Sequence, residues 1–191
     1  MNETTHDVAE LVVQIYTIHE AIIAESGGLQ GLRDGTMLHA AVARPFATFM
    51  GEDLYPDDFE KAAALFHSLI KSHPFMDGTK RTAFLSALYF LANQGYSIPK
   101  DLPKDNVIRF CIDLAHENLP QTQERANEPK SIAEIADWFR HLLKASQKEK
   151  MKTFFTKSCR DQGNVKRKIS ISRKSFCAQK LYLASLAFGS R

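Results

Sequence analysis

Nine consecutive residues in the middle of the chain, HPFMDGTKR at 73–81, combine side chains that can move a proton, hold a metal ion and bind an anion. His73 has the side chain whose pKa suits proton abstraction from a hydroxyl near neutral pH. Asp77 offers a carboxylate, and Mg²⁺ bound to phosphates typically uses only one or two protein carboxylates. Lys80 and Arg81 add two positive charges. These are the groups that phosphoryl or nucleotidyl transfer requires.

The position of these residues at the start of a helix supports an anion site. A helix predicted to begin near Thr79 presents unpaired N–H groups and the positive end of its dipole. Gly78, directly before it, leaves room for a phosphate to approach the backbone. Cations in a first turn oppose the dipole, so Lys80 and Arg81 indicate an anion that outweighs this cost. Phe75 is predicted to point into the core and fix the loop.

Each part of this segment also has a simpler interpretation. A single histidine at a helix end is usually a cap or a solvated residue, and a single Asp-Gly pair is usually a turn. The combination is more specific, yet the residues alone leave a phosphate site and a structural loop both open. Arg33 and Asp34 are weaker candidates for the same cleft, because a structural turn explains them better. The segment at 19–23 begins like a zinc-protease helix but has Ile where the second His is required.

The elements that must position this segment are predicted to be helices. Apolar residues recur at helical spacing from Val8 to Leu143. The stretch at 79–93 is apolar nearly all round, which is typical of a helix in the middle of a domain. The strand signal is limited to two or three residues near 96–98. We therefore predict an all-α bundle with one buried central helix after the 73–81 loop. Helix starts are predicted at capping side chains, namely Asp34, Asp57 with Glu60, Asp105, and Ser131 with Glu134.

The composition is typical of a soluble globular domain, since the chain has 191 residues, of which 44% are hydrophobic and 25% charged. Its cysteines, Cys111, Cys159 and Cys177, are widely spaced and form no CxxC pair, so we expect neither a disulfide framework nor a zinc site. The N-terminal segment lacks the basic and apolar regions of a signal peptide, and no apolar run approaches the roughly 18 residues of a membrane span. These features predict a cytoplasmic protein without membrane contact.

The net charge of +3 hides an asymmetry along the chain. Residues 1–147 carry 13 Lys and Arg against 20 Asp and Glu, whereas residues 148–191 carry 12 against 2. We therefore predict a helical domain over 1–147 and a poorly ordered basic tail over 148–191. The tail can be an appendage without function, a contact for nucleic acid or an acidic partner through 166–168 and 173–174, or a sequence unrelated to the domain.

The segment at 73–81 resembles the signature of the Fic/Doc proteins, H-x-F-x-[D/E/N]-[G/A]-N-[G/K]-R. The similarity is to the Doc, or death-on-curing, branch of that family. It covers about Val8 to Leu119, or extends to Lys144 if the last helix is included, and the tail lies outside it. Further segments that carry the resemblance are 31–34, 41–45, 52–56, 61–64 and 95–96.

The resemblance implies a fold and a reaction. The family fold is a bundle of α-helices in which this loop joins two central helices. Its members transfer AMP, and in some cases other phosphate-linked groups, from a nucleotide to protein hydroxyls. Carried over to this chain, His73 would be the general base that deprotonates the target hydroxyl, and Asp77 would be the Mg²⁺ ligand. The phosphates of ATP would be bound by Gly78, Thr79, Lys80 and Arg81, with Arg81 in fork geometry.

Several positions depart from the pattern G-N-G-R-x-x-R of the AMP-transferring members. Lys80 replaces the second Gly, and Phe84 replaces the second Arg, which removes the usual clamp on the γ-phosphate. In the Doc branch this change accompanies a reversed nucleotide and phosphorylation of elongation factor Tu, so the resemblance implies a kinase. Thr79 stands where most relatives have Asn, but its hydroxyl can still donate a hydrogen bond and cap the helix.

The resemblance also implies the toxin of a type II toxin–antitoxin pair, with a small antitoxin that covers the cleft. The sequence contains no inhibitory helix of the [S/T]-x-x-x-E-[G/N] kind, which fits inhibition by a separate protein. AMP transfer to a protein hydroxyl remains an alternative. A catalytically silent binding module, with nucleic acid contacted by the tail, is a second alternative.

Overall fold

A computed structural model of the chain describes residues 3–99, 101–116 and 130–143. These ranges form a helical bundle with one small hairpin, which confirms the predicted all-α class. The predicted tail at 148–191 lies outside the described residues. The elements are α1 Glu3–Ser26, α2 Gly35–Ala43, a 3-10 turn Arg44–Phe46, β1 Thr48–Phe49, β2 Glu52–Asp53, α3 Asp58–Ser72, α4 Thr79–Asn93, α5 Lys104–His116 and α6 at 132–143.

Capping side chains begin three of the helices, as the sequence predicts. Each satisfies N–H groups that have no partner within the first turn of the helix. Asp34 accepts from the N–H groups of Thr36 at 2.8 Å and Met37 at 3.2 Å. Asp57 accepts from the N–H of Phe59 at 2.6 Å. Ser131 and Glu134 cap each other reciprocally.

Helix α4 is the buried centre of the bundle and packs against α1, α3 and α5. Even its polar residues Thr82 and Ser86 are buried. On one side an aromatic cluster joins α4 to three other helices, and its rings pack edge to face or in parallel. The cluster consists of Phe66 of α3, Phe84 of α4, Phe110 of α5, and Trp138 and Phe139 of α6. None of the helices in the described ranges combines the length and apolar character needed to cross a bilayer.

The strand predicted near 96–98 is not formed. The N–H of Tyr96 instead donates to the carbonyl of Leu91 at 3.1 Å, at the C-terminal end of α4. Its ring packs edge-on against Phe59, with 4.7 Å between centroids, so its apolar character serves packing against α3. The hairpin lies at 48–53 and turns through Met50 and Gly51, which both have positive φ and so match the twist of the paired strands.

The aromatic cluster is expected to contribute a large share of the stability. Phe66→Ala should lower the free energy of unfolding by about 3–5 kcal/mol, because it removes a fully buried ring and leaves a cavity. The matched change Phe49→Ala, in the hairpin where the side chain is 68% exposed, should alter it by less than about 0.5 kcal/mol. Denaturant unfolding followed by circular dichroism measures both, and equal losses would contradict this placement of the core.

Candidate functional site

The loop between α3 and α4 turns sharply at both ends. His73 ends α3 with φ 45° and ψ 55°, in the left-handed region, and Gly78 precedes α4 with φ 69°. Glycine adopts this conformation without strain, whereas a histidine pays on the order of 1 kcal/mol for it. Residues held in such conformations cluster at functional sites because the surrounding structure has to enforce them. The strain therefore falls on the residue that the sequence singles out as a base.

A backbone pairing holds the loop to the segment that precedes α2. The N–H of Arg33 donates to the carbonyl of Pro74 at 2.7 Å, and the N–H of Met76 donates to the carbonyl of Gly31 at 3.1 Å. Between these bonds, Leu32 and Phe75 form an isolated antiparallel bridge. The loop is thus fixed by a segment some 40 residues earlier in the sequence.

A cleft of about 430 Å³ opens at this corner of the bundle. Every residue that the sequence proposes for the site lines it except Asp34, whose carboxylate caps α2 and faces that helix. The far wall belongs to α5, which Lys71 ties to the end of α3 by a 3.0 Å hydrogen bond to the carbonyl of Leu114. The lining residues are Arg33, His73, Phe75, Met76, Asp77, Gly78, Thr79, Lys80 and Arg81, together with Ile108, Cys111 and Ile112 of α5.

The electrostatic environment of His73 favours its neutral form. Burial lowers the pKa of the imidazole below its ordinary value, and the nearby charges of Arg33, Lys80 and Lys71 lower it further. A lowered pKa means that the ring has already lost its proton near neutral pH. Such a ring can accept a proton from a hydroxyl placed in the cleft.

The wall opposite His73 is apolar and uncharged. It consists of Ile108, Cys111 and Ile112 along one face of α5. Burial raises the pKa of the Cys111 thiol to about 12, so the sulfur is not a thiolate at neutral pH. The three α5 side chains that line the cleft therefore offer no negative charge to its cations.

Asp77 is the carboxylate of the loop, and its side chain is 48% exposed at the cleft. Its Oδ1 accepts from the N–H of Gly78 at 2.5 Å and lies 3.9 Å from Nη2 of Arg81. Among residues 3–99, 101–116 and 130–143, no three His, Cys, Asp or Glu side chains converge as a metal-ligand cluster. A single exposed carboxylate beside an anion site still fits Mg²⁺, which takes one or two carboxylates and completes its shell with phosphate and water oxygens.

The C-terminal end of α1 lies directly against Asp77 and Arg81. The Nη1 of Arg81 donates to the Oγ of Ser26, which itself donates to the carbonyl of Ile22 at 2.6 Å. A Cβ on Gly28 would overlap the Oδ2 of Asp77. Nothing local in the sequence indicates these contacts, so Ser26 and Gly28 are missed as site residues. The available clue is a serine at the end of α1 followed directly by two glycines.

Thr79 differs from the expectation, whereas Phe84 lies in the core, as the apolar pattern of the helix predicts. Gly78 holds the cap position without a side-chain hydrogen bond, so Thr79 is not the cap but a buried residue of the first turn. Phe84, at the position of the second Arg in the signature, is 1% exposed and stacks on Phe139. Its ring belongs to the core, so this position presents nothing to the cleft.

The sequence of the chain is similar to a protein-family model and to known proteins. Residues 11–91 match the model of the Fic/DOC family. The chain is 40% identical over 107 residues to Toxin Doc of Mycolicibacterium smegmatis, an alignment that spans 56% of this chain and 76% of that protein. It is 34% identical over 134 residues to the protein kinase doc of Escherichia phage P1, which spans 70% of this chain and 94% of that protein.

If the cleft binds ATP with Mg²⁺, as the resemblance implies, Gly28→Ala is expected to weaken the Mg²⁺-dependent part of that binding by about tenfold, because the new Cβ displaces the Asp77 carboxylate. Gly27→Ala is the matched control, since Gly27 also has a positive φ but its Cβ would meet nothing within 4 Å. Calorimetric titration of ATP with and without Mg²⁺ measures the effect. The contact with Asp77 would be unimportant if both variants kept the same Mg²⁺ dependence as the parent.

Arg33→Gln is expected to raise the pKa of His73, because it removes the first of the positive charges that, after burial, lower this pKa. Arg33→Lys keeps the charge and should leave the pKa where it is. The Cε1 proton of His73, followed by NMR as the pH is changed, measures both. A pKa that does not respond to Arg33→Gln would mean that Arg33 does not act on the imidazole, which would leave burial and the two lysines as the causes.

Proposed function

This chain belongs to the Fic/DOC family, and we propose that it is the toxin of a type II toxin–antitoxin pair that phosphorylates a translation factor. The proposed substrate is a hydroxyl of a factor like elongation factor Tu, and the phosphate donor is ATP. The observation that carries the proposal is a single cleft that holds a neutral histidine, an exposed carboxylate and the cation-bearing start of a buried helix. Because translation factors act in the cytoplasm, the proposed site of action is cytoplasmic.

In the proposed reaction, His73 accepts the proton of the target hydroxyl through its unprotonated ring nitrogen. The hydroxyl oxygen forms a bond to the γ-phosphorus of ATP. The bond from that phosphorus to the β–γ bridging oxygen breaks, and ADP leaves with the electron pair. Catalysis of this kind depends on positioning and on stabilisation of charge, so the residues around the phosphates matter as much as the base.

The phosphates are proposed to lie at the start of α4, where unpaired N–H groups after Gly78 point to the cleft. Lys80 supplies a point charge, and Arg81 supplies a fork that can bind two phosphate oxygens. Thr79, buried in the first turn, contributes its backbone to this site. Asp77 would hold Mg²⁺, which neutralises phosphate charge when it is bound.

The side chain of Phe84 supports phosphate transfer over AMP transfer. Family members that transfer AMP clamp the γ-phosphate with an arginine at this position, and here a buried phenylalanine occupies it. Lys80 places its charge at the cleft instead. The relative in phage P1 is named as a protein kinase, which agrees with this choice. AMP transfer remains the alternative outcome of the test below.

The rim of the cleft supports the proposed antitoxin. Several apolar side chains around the opening are exposed, and together they form a surface that a partner can cover. An extended or helical segment laid along this rim would block both the nucleotide and the target hydroxyl. The exposed side chains are Leu32 and Met76 on the paired loops, and Ile108 and Ile112 on α5.

Transfer of label from ATP tests the proposed function. The full chain is incubated with elongation factor Tu, or with cell extract, and ATP labelled at either the α- or the γ-phosphate. We expect label from the γ-phosphate alone, and His73→Ala should reduce the rate by about 10²–10⁴-fold, because it removes the general base. His39→Ala is the matched control, because His39 is exposed on α2 away from the cleft.

The outcomes separate the candidate functions. Label from the α-phosphate would replace the kinase with AMP transfer. An absence of label from either position, together with growth arrest that persists in His73→Ala and Asp77→Ala, would overturn the catalytic assignment in favour of a binding module.

A further inference from the structure

His19, in the middle of α1, is a buried polar residue to which the proposed reaction gives no role. Its side chain is 1% exposed and does not line the cleft. The sequence pattern around it fails as a zinc helix, and no metal-ligand cluster includes it within the described ranges. Its position behind the loop is therefore the feature that needs an explanation.

The imidazole of His19 contacts the loop and the helix that follows it. Its ring stacks on Phe75, with 4.1 Å between centroids and 16° between the planes. Its Nδ1 lies 3.3 Å from the Oγ1 of Thr82, one turn into α4. Gly78 is close by, since a Cβ placed on it would lie 3.8 Å from the Cε1 of His19. One side chain thus contacts the centre of the loop and the helix beyond it.

A residue that served only to fill space would not need the two ring nitrogens of His19. Its Nε2 is buried without a hydrogen-bond partner in the described structure, and a buried polar atom in that state costs free energy. A phenylalanine or leucine would fill the same volume without that cost. Burial also lowers the pKa of His19, so the ring is neutral and can stack on Phe75 without bringing a second cation next to Arg81.

We infer that His19 is a positioning residue for the transfer reaction: through Phe75 and Thr82 it fixes the loop on which His73 and Asp77 stand. The inference rests on the proposed function for its catalytic consequence. Phe75 lies midway between His73 and Asp77, so a shift of its ring moves both. A displacement of about 1 Å can lower a rate by about 10²-fold, because the reacting groups leave their aligned geometry. Asp77 is also held by the N–H of Gly78 and by Arg81, and the proposed phosphate-binding start of α4 is held by the core, so nucleotide affinity should be affected less than kcat.

Three variants separate the stacking from the hydrogen bond. His19→Phe keeps a ring against Phe75 and loses the bond to Thr82. Thr82→Val removes the same bond from the other side at nearly constant volume. His19→Ala removes both interactions. Leu11→Ala, two turns earlier on α1 and lining a different cavity, is the control for a loss of packing on this helix.

Two measurements on the full chain report the effect. The first is kcat and KM for ATP, with elongation factor Tu as the acceptor. The second is hydrogen exchange at the amides of Arg33 and Met76, which bond to the loop and to its partner segment. We expect His19→Ala to lower kcat by about 10–100-fold, with KM changed by less than about threefold, and to speed exchange at both amides. Leu11→Ala should change neither.

The single-interaction variants supply the second step of the test. His19→Phe and Thr82→Val should each lower kcat by a similar, smaller factor, and the double variant should lower it no further than either alone. If His19→Ala does not fold, His19→Phe and Thr82→Val still test the inference. The inference is overturned if both single variants keep the kcat of the parent. It is also overturned if the kcat of the double variant falls by the product of the two single effects.

The exchange measurement separates this inference from the proposed function. If the parent transfers no label at all, the proposed function fails, and the two amides still report whether His19 holds the loop. Equal exchange in His19→Ala and Leu11→Ala would show that the histidine acts only as packing, and the inference would fall.

Discussion

For the proposed function, the first turn of α4 has to be open to an anion while the rest of the helix is enclosed by other helices. Unpaired N–H groups attract an anion only where it can reach them, and an apolar surface on all sides needs neighbours on all sides. The chain meets both demands at one corner. Left-handed residues at His73 and Gly78 turn the backbone away from both helix axes, and the cleft opens between them.

A loop of six residues cannot keep such a shape by itself, and two distant segments hold it. On one side the stretch at 31–34 forms backbone hydrogen bonds to the loop. On the other side α1 presents His19 to the ring of Phe75, and Gly28, two residues after the end of α1, lies against the carboxylate of Asp77. The catalytic geometry is therefore a tertiary property, although the residues that would perform the chemistry are contiguous in sequence.

The difference between local features and contacts made by distant segments explains which parts of the structure the sequence could predict. Helices, caps and the buried character of α4 follow from local periodicity and from side-chain chemistry, so they are predictable. The hairpin at 48–53 is missed because strands of two residues carry no periodicity. The apolar residues near 96–98 suggest a strand but pack on α3. The roles of Ser26 and His19 depend on where α1 packs against the loop, and a local sequence pattern does not predict how two distant segments pack.

Phe84 connects the packing of the bundle to the chemistry of the cleft. An arginine at this position would have to leave the aromatic cluster, because a charge among Phe66 and Phe139 would be desolvated without a partner. The cluster closes α6 over α4, so a charged clamp at this position would disrupt the core as it is packed here. With the clamp absent, the positive charge available to a nucleotide comes from Lys80 and Arg81 at the start of the helix and from Arg33 across the loop. Under the proposed function, the end of the nucleotide with the highest negative charge should lie among these three, which would put the γ-phosphate, not the α-phosphate, within reach of His73.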